Sequence, residues 1–150
     1  MKPKLFLRIA AVVAIVQAIL HTIGGVYGTP EPGAAAAAVV AMKANHFAVT
    51  GLDRTYWDFF MGFGLGITVF LAIEGVVFWM LGTLAGKDGV DVRPILMAFV
   101  VGYAALTVLA YQYFFFAPLV CDALVALCLG LAAFKARPVH VAHAVASVRA

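Results

Sequence analysis

Charge and serine are what this chain lacks. Asp, Glu, Lys and Arg make up 11% of its 150 residues, and Ser147 is its single serine. Average soluble domains carry about 25% charged residues. The deficit, together with 65% hydrophobic residues and a mean hydropathy of +1.07, excludes a soluble globular domain and points to a membrane protein. Cysteine is equally scarce. Cys121 and Cys128 lie on one predicted helix, separated by a rise of about 10.5 Å, too far to bridge without distortion, so a redox pair is excluded. Also missing are a Cys-x-x-Cys motif, a nucleophile elbow, a phosphate loop and a zinc signature. The paired Glu-x-x-His elements of carboxylate-bridged metal bundles are absent. Haem would have to draw axial ligands from His21 and His46, one of them in a loop. No metal and no cofactor are therefore expected. A net charge of +3 gives no reason to invoke a nucleic-acid partner.

What is present is apolar sequence in span-sized pieces. A membrane-crossing helix needs roughly 20 residues, and four such stretches predict an all-α fold, a four-transmembrane-helix bundle. Residues 1–137 form a single membrane domain and 138–150 a short cytoplasmic tail carrying His140 and His143. The first span runs from about Leu5 to Tyr27. Lys2, Lys4 and Arg8 ahead of Ile9–Leu20 fit a signal-peptide template, but the apolar run continues past Gln17 and His21 without a small-x-small site before Gly28, which favours a retained span. After the turn-rich Thr29-Pro30-Glu31-Pro32-Gly33, the alanine-rich Ala34–Lys43 is too short to cross and reads as a short interfacial helix in the first external loop.

The second span, from about Thr55 to Leu81, has Tyr56 and Trp57 at one end and Trp79 near the other, an aromatic belt at each interface. Asp53 is placed to cap it. From Ile95 to Phe134 the apolar run is twice a span and has to fold back. The reversal falls around Gln112–Pro118, so the third helix ends near Tyr113 and the fourth runs from about Ala117 to Phe134. With the N-terminus inside, Lys2, Lys4, Arg8, Lys87, Arg93, Lys135, Arg137 and Arg149 are cytoplasmic, against Lys43 and Arg54 outside. This bias places both termini in the cytoplasm.

Asp58, Glu74 and Asp122 fall within the apolar stretches, where a carboxylate is costly and usually faces a bundle interior or a wet cavity. At about 1.5 Å per residue, Glu74 lies well below Asp58, towards the cytoplasm, where Arg8, Arg93 or headgroup water can neutralise it. The other polar residues share the outer half: Gln17 and His21 one turn apart, Asp58, Tyr111, Gln112 and Asp122, with Asn45 and His46 of the loop above them. Asp122 has no basic neighbour in its own helix, and His21 is its nominated donor. For His21 a purely structural hydrogen-bonding role stands beside that reading, as do helix capping or pairing with Arg54 for Asp58.

Three motifs, His21-Thr22-Ile23-Gly24-Gly25, Met42-Lys43-Ala44-Asn45-His46-Phe47 and Arg54-Thr55-Tyr56-Trp57-Asp58-Phe59-Phe60-Met61-Gly62-Phe63-Gly64, together resemble an uncharacterised family of small bacterial four-helix membrane proteins, over about residues 1–134. The resemblance implies the span count and a bacterial inner membrane, and it carries no activity. In span count and residue types alone the chain is also similar to the four-helix sterol isomerase and sigma-2 receptor superfamily, whose cavities use intramembrane acidic residues and histidine.

The expected function is binding of a lipid or apolar small molecule in an outer-leaflet cavity. Phe59, Phe60, Phe63 and Phe114–Phe116 would take the apolar body, and His21, Asp58 and Asp122 the polar head. The ligand-binding candidates are thus Gln17, His21, His46, Asp58, Tyr111, Gln112 and Asp122. The same residues leave open an isomerase-like membrane enzyme in which Asp122 and His21 exchange a proton across a substrate. A third reading is a non-catalytic partner subunit. Gly62 and Gly66, at small-xxx-small spacing, also permit a homo-oligomer.

Overall fold

A computed structural model describes residues 2–85, 87 and 90–136. His140, His143, Arg137 and Arg149 lie outside the described residues. The elements in order are α1 (Pro3–Leu20), a π-helical turn (His21–Val26), α2 (Ala34–Ala44), the strands β1 (His46–Val49) and β2 (Leu52–Thr55), α3 (Tyr56–Leu84), α4 (Arg93–Tyr113) and α5 (Phe116–Lys135). Four helices are long and apolar enough to cross a membrane: Pro3–Val26, Tyr56–Leu84, Arg93–Tyr113 and Phe116–Lys135. Between 17% and 33% of the most apolar stretch of each is buried inside the protein, which leaves most of the apolar surface for lipid. The fold is all-α as its composition requires, with the short α2 between the first and second spans.

The chain divides into two compact units, Ala14–Glu74 and Met1–Val13 with Gly75–Ala150. In the second of these, Pro94 sits in the first turn of α4, where its missing N–H leaves nothing unsatisfied. Two extended residues, Phe114 and Phe115, reverse the chain into α5. The resulting hairpin buries Leu96, Tyr103 and Ala110 of α4 at heptad spacing, and Asp122, Val125, Cys128, Leu129, Ala132 and Ala133 along one stripe of α5. Phe78 of α3 is fully buried, edge-on to Phe99 with ring centroids 5.0 Å apart and 5.9 Å from Tyr103. One turn further along α3, a methyl group on Gly82 would lie 3.3 Å from Leu7 Cβ and 3.6 Å from the Lys4 carbonyl, so the small residue 82 favours this close approach of α1.

In the Ala14–Glu74 unit, α1 and α3 are joined by a polar seam. The π-helical turn ends with Tyr27 N–H on the Thr22 carbonyl at 3.0 Å. Such turns are commonly found at functional sites. His21 Nε2 donates to the Gly64 carbonyl at 3.0 Å. Because a carbonyl only accepts, this bond assigns the ring proton to Nε2. Thr22 Oγ1 donates to the Ala18 carbonyl at 2.7 Å, so the 2.9 Å contact between the Thr22 and Thr68 hydroxyls is donated by Thr68. Val26 closes the seam, its Cγ2 lying 2.9 Å from where a Gly64 Cβ would stand.

The segment between α2 and α3, expected as loop, is a β-hairpin. Val49 pairs with Leu52 around Thr50 and Gly51, whose φ values of 49° and 81° are both positive. Positive φ at both central residues is the requirement of a type I′ turn, whose twist matches the flanking strands. Phe47 of β1 then packs 4.9 Å from Tyr56 and 5.2 Å from Phe59, while Lys43 of α2 sits 4.7 Å over the Trp57 ring. These contacts tie α2 and the hairpin to the start of α3.

Candidate functional site

The hairpin decides where α3 begins. Strand β2 runs through Thr55, which leaves Thr55 as the residue that caps the helix. Its Oγ1 accepts the Asp58 N–H at 3.1 Å, and Asp58 Oδ2 accepts the Thr55 N–H at 2.8 Å and the Thr55 hydroxyl at 2.9 Å. This is a reciprocal capping box with aspartate in the place of glutamate. Asp53, expected to cap α3, instead pairs across the hairpin with His46, Nδ1 to Oδ2 at 2.9 Å. Asp53 lies three residues before the helix, whereas Thr55 directly precedes Tyr56, so the capping role falls to Thr55.

From that cap the first turns of α3 present a groove of about 340 Å³ lined by Arg54, Asp58, Phe59, Gly62 and Phe63. Asp58 and Gly62 lie four residues apart and Phe59 and Phe63 run beside them one position on, as one helical face requires, while Arg54 joins them from the end of β2. Nothing lies within 4 Å of a methyl group placed on Gly62, so the middle of the groove is backbone with free space above it. Its mouth carries both signs of charge. Both bonds from Thr55 fall on Asp58 Oδ2, so Oδ1 is not used by the capping box. The Arg54 guanidinium uses Nη1 for the Asp53 carbonyl at 2.8 Å and has further donors to offer. An amphiphile with a polar or zwitterionic head has partners here for its head and aromatic walls for its tail.

A second groove of about 310 Å³ lies over the polar seam, lined by Ile15, Ala18, Ile19, Thr22, Ile23, Thr68 and Ala72. Its two hydroxyls are already engaged with each other, which leaves it an apolar surface without a head-binding group.

The seven candidate residues are distributed over both units. Gln17, His21, His46 and Asp58 belong to Ala14–Glu74, and Tyr111, Gln112 and Asp122 to the hairpin unit. His21 is half-buried on the Gly64 carbonyl, and Gln17 is half-buried one turn earlier on α1. His46 is exposed and held by Asp53. Asp58 is the member that lines a groove. Tyr111 and Gln112 are exposed at the end of α4, close in sequence to the exposed Phe114, Phe115 and Phe116. Asp122 is buried in α5, 6% exposed.

Two residues that bear on the site were not singled out from sequence. Arg54 was read as a topology marker and an optional partner of Asp58; it reaches the groove from the end of β2, an element the sequence did not mark. Tyr103 is 1% exposed and carries a hydroxyl into the interior of the hairpin unit. Nothing in an apolar run distinguishes such a tyrosine from one at an interface. Among the described residues, no group of three or more His, Cys, Asp or Glu is placed to hold a metal ion. No protein-family model matches the chain, and no curated protein or solved structure matches it either.

Proposed function

We propose that this protein is an integral protein of a bacterial inner membrane, with both termini cytoplasmic, that binds a lipid or similar amphiphile in the groove at the start of α3. The observation that carries the reading is that Arg54 and Asp58, of opposite charge, line one groove with Phe59, Gly62 and Phe63. Phe63 is 70% exposed, and a ring left open on a membrane helix is a surface for an acyl or isoprenoid chain. With the N-terminus inside, α3 starts at the outer face, so the groove opens to the outer leaflet. The short bacterial four-helix family suggested by the three motifs is the proposed relationship, and two of those motifs build this corner.

The head of the ligand is read by charge. A cationic amine meets Asp58 and a phosphate meets Arg54. Lipid co-purified in mild detergent should be dominated by species with a polar or zwitterionic head. Arg54→Gln and Asp58→Asn should each lower their occupancy about three- to tenfold, as expected for charge-assisted bonds at a partly exposed site. The same species at the same occupancy in both variants would sink the proposal.

Gly66, one turn beyond Gly62, also has nothing within 4 Å of an added methyl group, which favours a second copy docking on this face. Gly66 does not line the groove. A Gly66→Leu variant that changes the oligomeric state without changing the bound lipid separates the two uses.

A further inference from the structure

We infer that Arg8, Trp79 and Thr83 form a second site, for a phosphate-bearing anionic headgroup, at the opposite end of α3 from the groove. Arg8 lies in the second turn of α1, and its guanidinium carbon stacks 3.4 Å from the centroid of the Trp79 ring. Nη2 donates to Thr83 Oγ1 at 3.0 Å. Nη1 is buried and has no hydrogen-bond partner among the described residues. The two partners that hold the guanidinium, an aromatic ring and a hydroxyl, carry no negative charge.

A guanidinium is a fork of five donors with a fixed charge, shaped for two oxygens of one anion. Here the fork is oriented by stacking and by one hydroxyl, while a buried donor is left without an acceptor, which is a standing cost. An anionic oxygen removes that cost, and Trp79, the ring lying over the fork, is itself 52% exposed, which puts the site at the protein surface. Exposed Lys4 lies one turn before Arg8 on α1, and its carbonyl is 3.6 Å from the methyl position of Gly82, which is also 3.6 Å from Arg8 Nε. Lys2, Lys87 and Arg93 are exposed in the same unit, at the start of α1, after α3 and at the start of α4. This end of the spans therefore has a positive field and one preorganised fork. A Trp at the membrane boundary beside an arginine suits a phosphodiester at headgroup depth. The site is independent of the outer groove and shares no residue with it.

The test uses Trp79 as reporter. In a Trp57→Phe background the other tryptophan is removed, and the full chain in detergent micelles is titrated with short-chain phosphatidylglycerol, short-chain phosphatidylcholine and inorganic phosphate. Phosphatidylglycerol should change Trp79 emission saturably, at least tenfold more tightly than phosphatidylcholine. A response to inorganic phosphate at matching affinity would make the source a free anion and overturn the lipid assignment. Arg8→Gln should weaken the phosphatidylglycerol response at least tenfold. Thr83→Val, which keeps shape and removes the hydroxyl, should weaken it severalfold and serves where Arg8→Gln does not fold. Equal responses to the two lipids, or an undiminished response in Thr83→Val and in a folded Arg8→Gln, would overturn the site.

Discussion

Replacing Gly64 by leucine is expected to cost the protein its folded state, whereas the same replacement at Gly62 is expected to leave the fold intact. The two glycines lie two residues apart in one run and are indistinguishable by type. A methyl group on Gly64 would stand 2.9 Å from Val26 Cγ2, closer than carbon atoms approach, while one on Gly62 meets nothing within 4 Å. The Gly64 carbonyl also receives His21 Nε2 at 3.0 Å, so pushing α1 away breaks the seam as well as the packing. Overpacking a close contact costs about 1 to 3 kcal/mol and each lost hydrogen bond about 1 kcal/mol more. The loss of about 3 kcal/mol or more is a large share of a small protein's stability. Thermal melting in detergent should show it as a much lower midpoint and a collapse of the monodisperse fraction. Pairing Gly64→Ala with Val26→Ala should recover most of what Gly64→Ala alone loses, because the smaller partner makes room for the methyl group. A Gly64→Leu variant as stable as the wild type would mean that α1 and α3 do not meet at this seam.

The second large effect is expected at Phe78. Its ring is fully buried against Phe99 and Tyr103, so alanine leaves a cavity in the Gly75–Ala150 part of the chain. Buried Phe→Ala changes cost about 3 to 5 kcal/mol. Inside a membrane the cost is lost packing rather than exposure to water, since packing is what drives association of apolar helices there. Phe70, on the same helix and 69% exposed, is the control, and Phe70→Ala should cost about 0.5 kcal/mol or less. Equal melting shifts for the two variants would contradict the burial of Phe78.

The spans were legible because length and apolar content are enough to mark them. The break before Ala34, the reversal at Phe114–Phe115 and the end at Lys135 all fall within a few residues of the expected positions. The hairpin was not legible. Each strand has four residues, mostly exposed, so no alternation marks it, and its only turn signal is Gly51, since the β-branched Thr50 rarely takes a positive φ. Missing the hairpin misplaced the cap, because Asp53, placed just ahead of the expected helix start, is a strand residue whose carboxylate bonds the His46 ring. The π-helical turn at His21–Val26 has no sequence signature either, and it is the element that presents His21 to Gly64.

For the site, the cost of a carboxylate in an apolar run drew attention to Asp58 and Asp122, but cost alone does not say what a residue touches. Asp58 meets that cost at the boundary, in a capping box beside the groove. Asp122 is buried in α5, in the other unit from His21. Helix capping by Asp58 was among the readings open from sequence, whereas its partner Thr55 was not.

Native mass spectrometry of Gly62→Leu and Gly66→Leu, released from the same detergent as the wild type, tests the central claim most directly. A leucine at 62 fills the groove lined by Arg54, Asp58, Phe59 and Phe63 without touching the packing of α3, whereas a leucine at 66 leaves it open. The account predicts that the lipid adduct seen on the wild type persists on Gly66→Leu and falls at least tenfold on a folded Gly62→Leu. An adduct of the same mass and occupancy on both variants would contradict it.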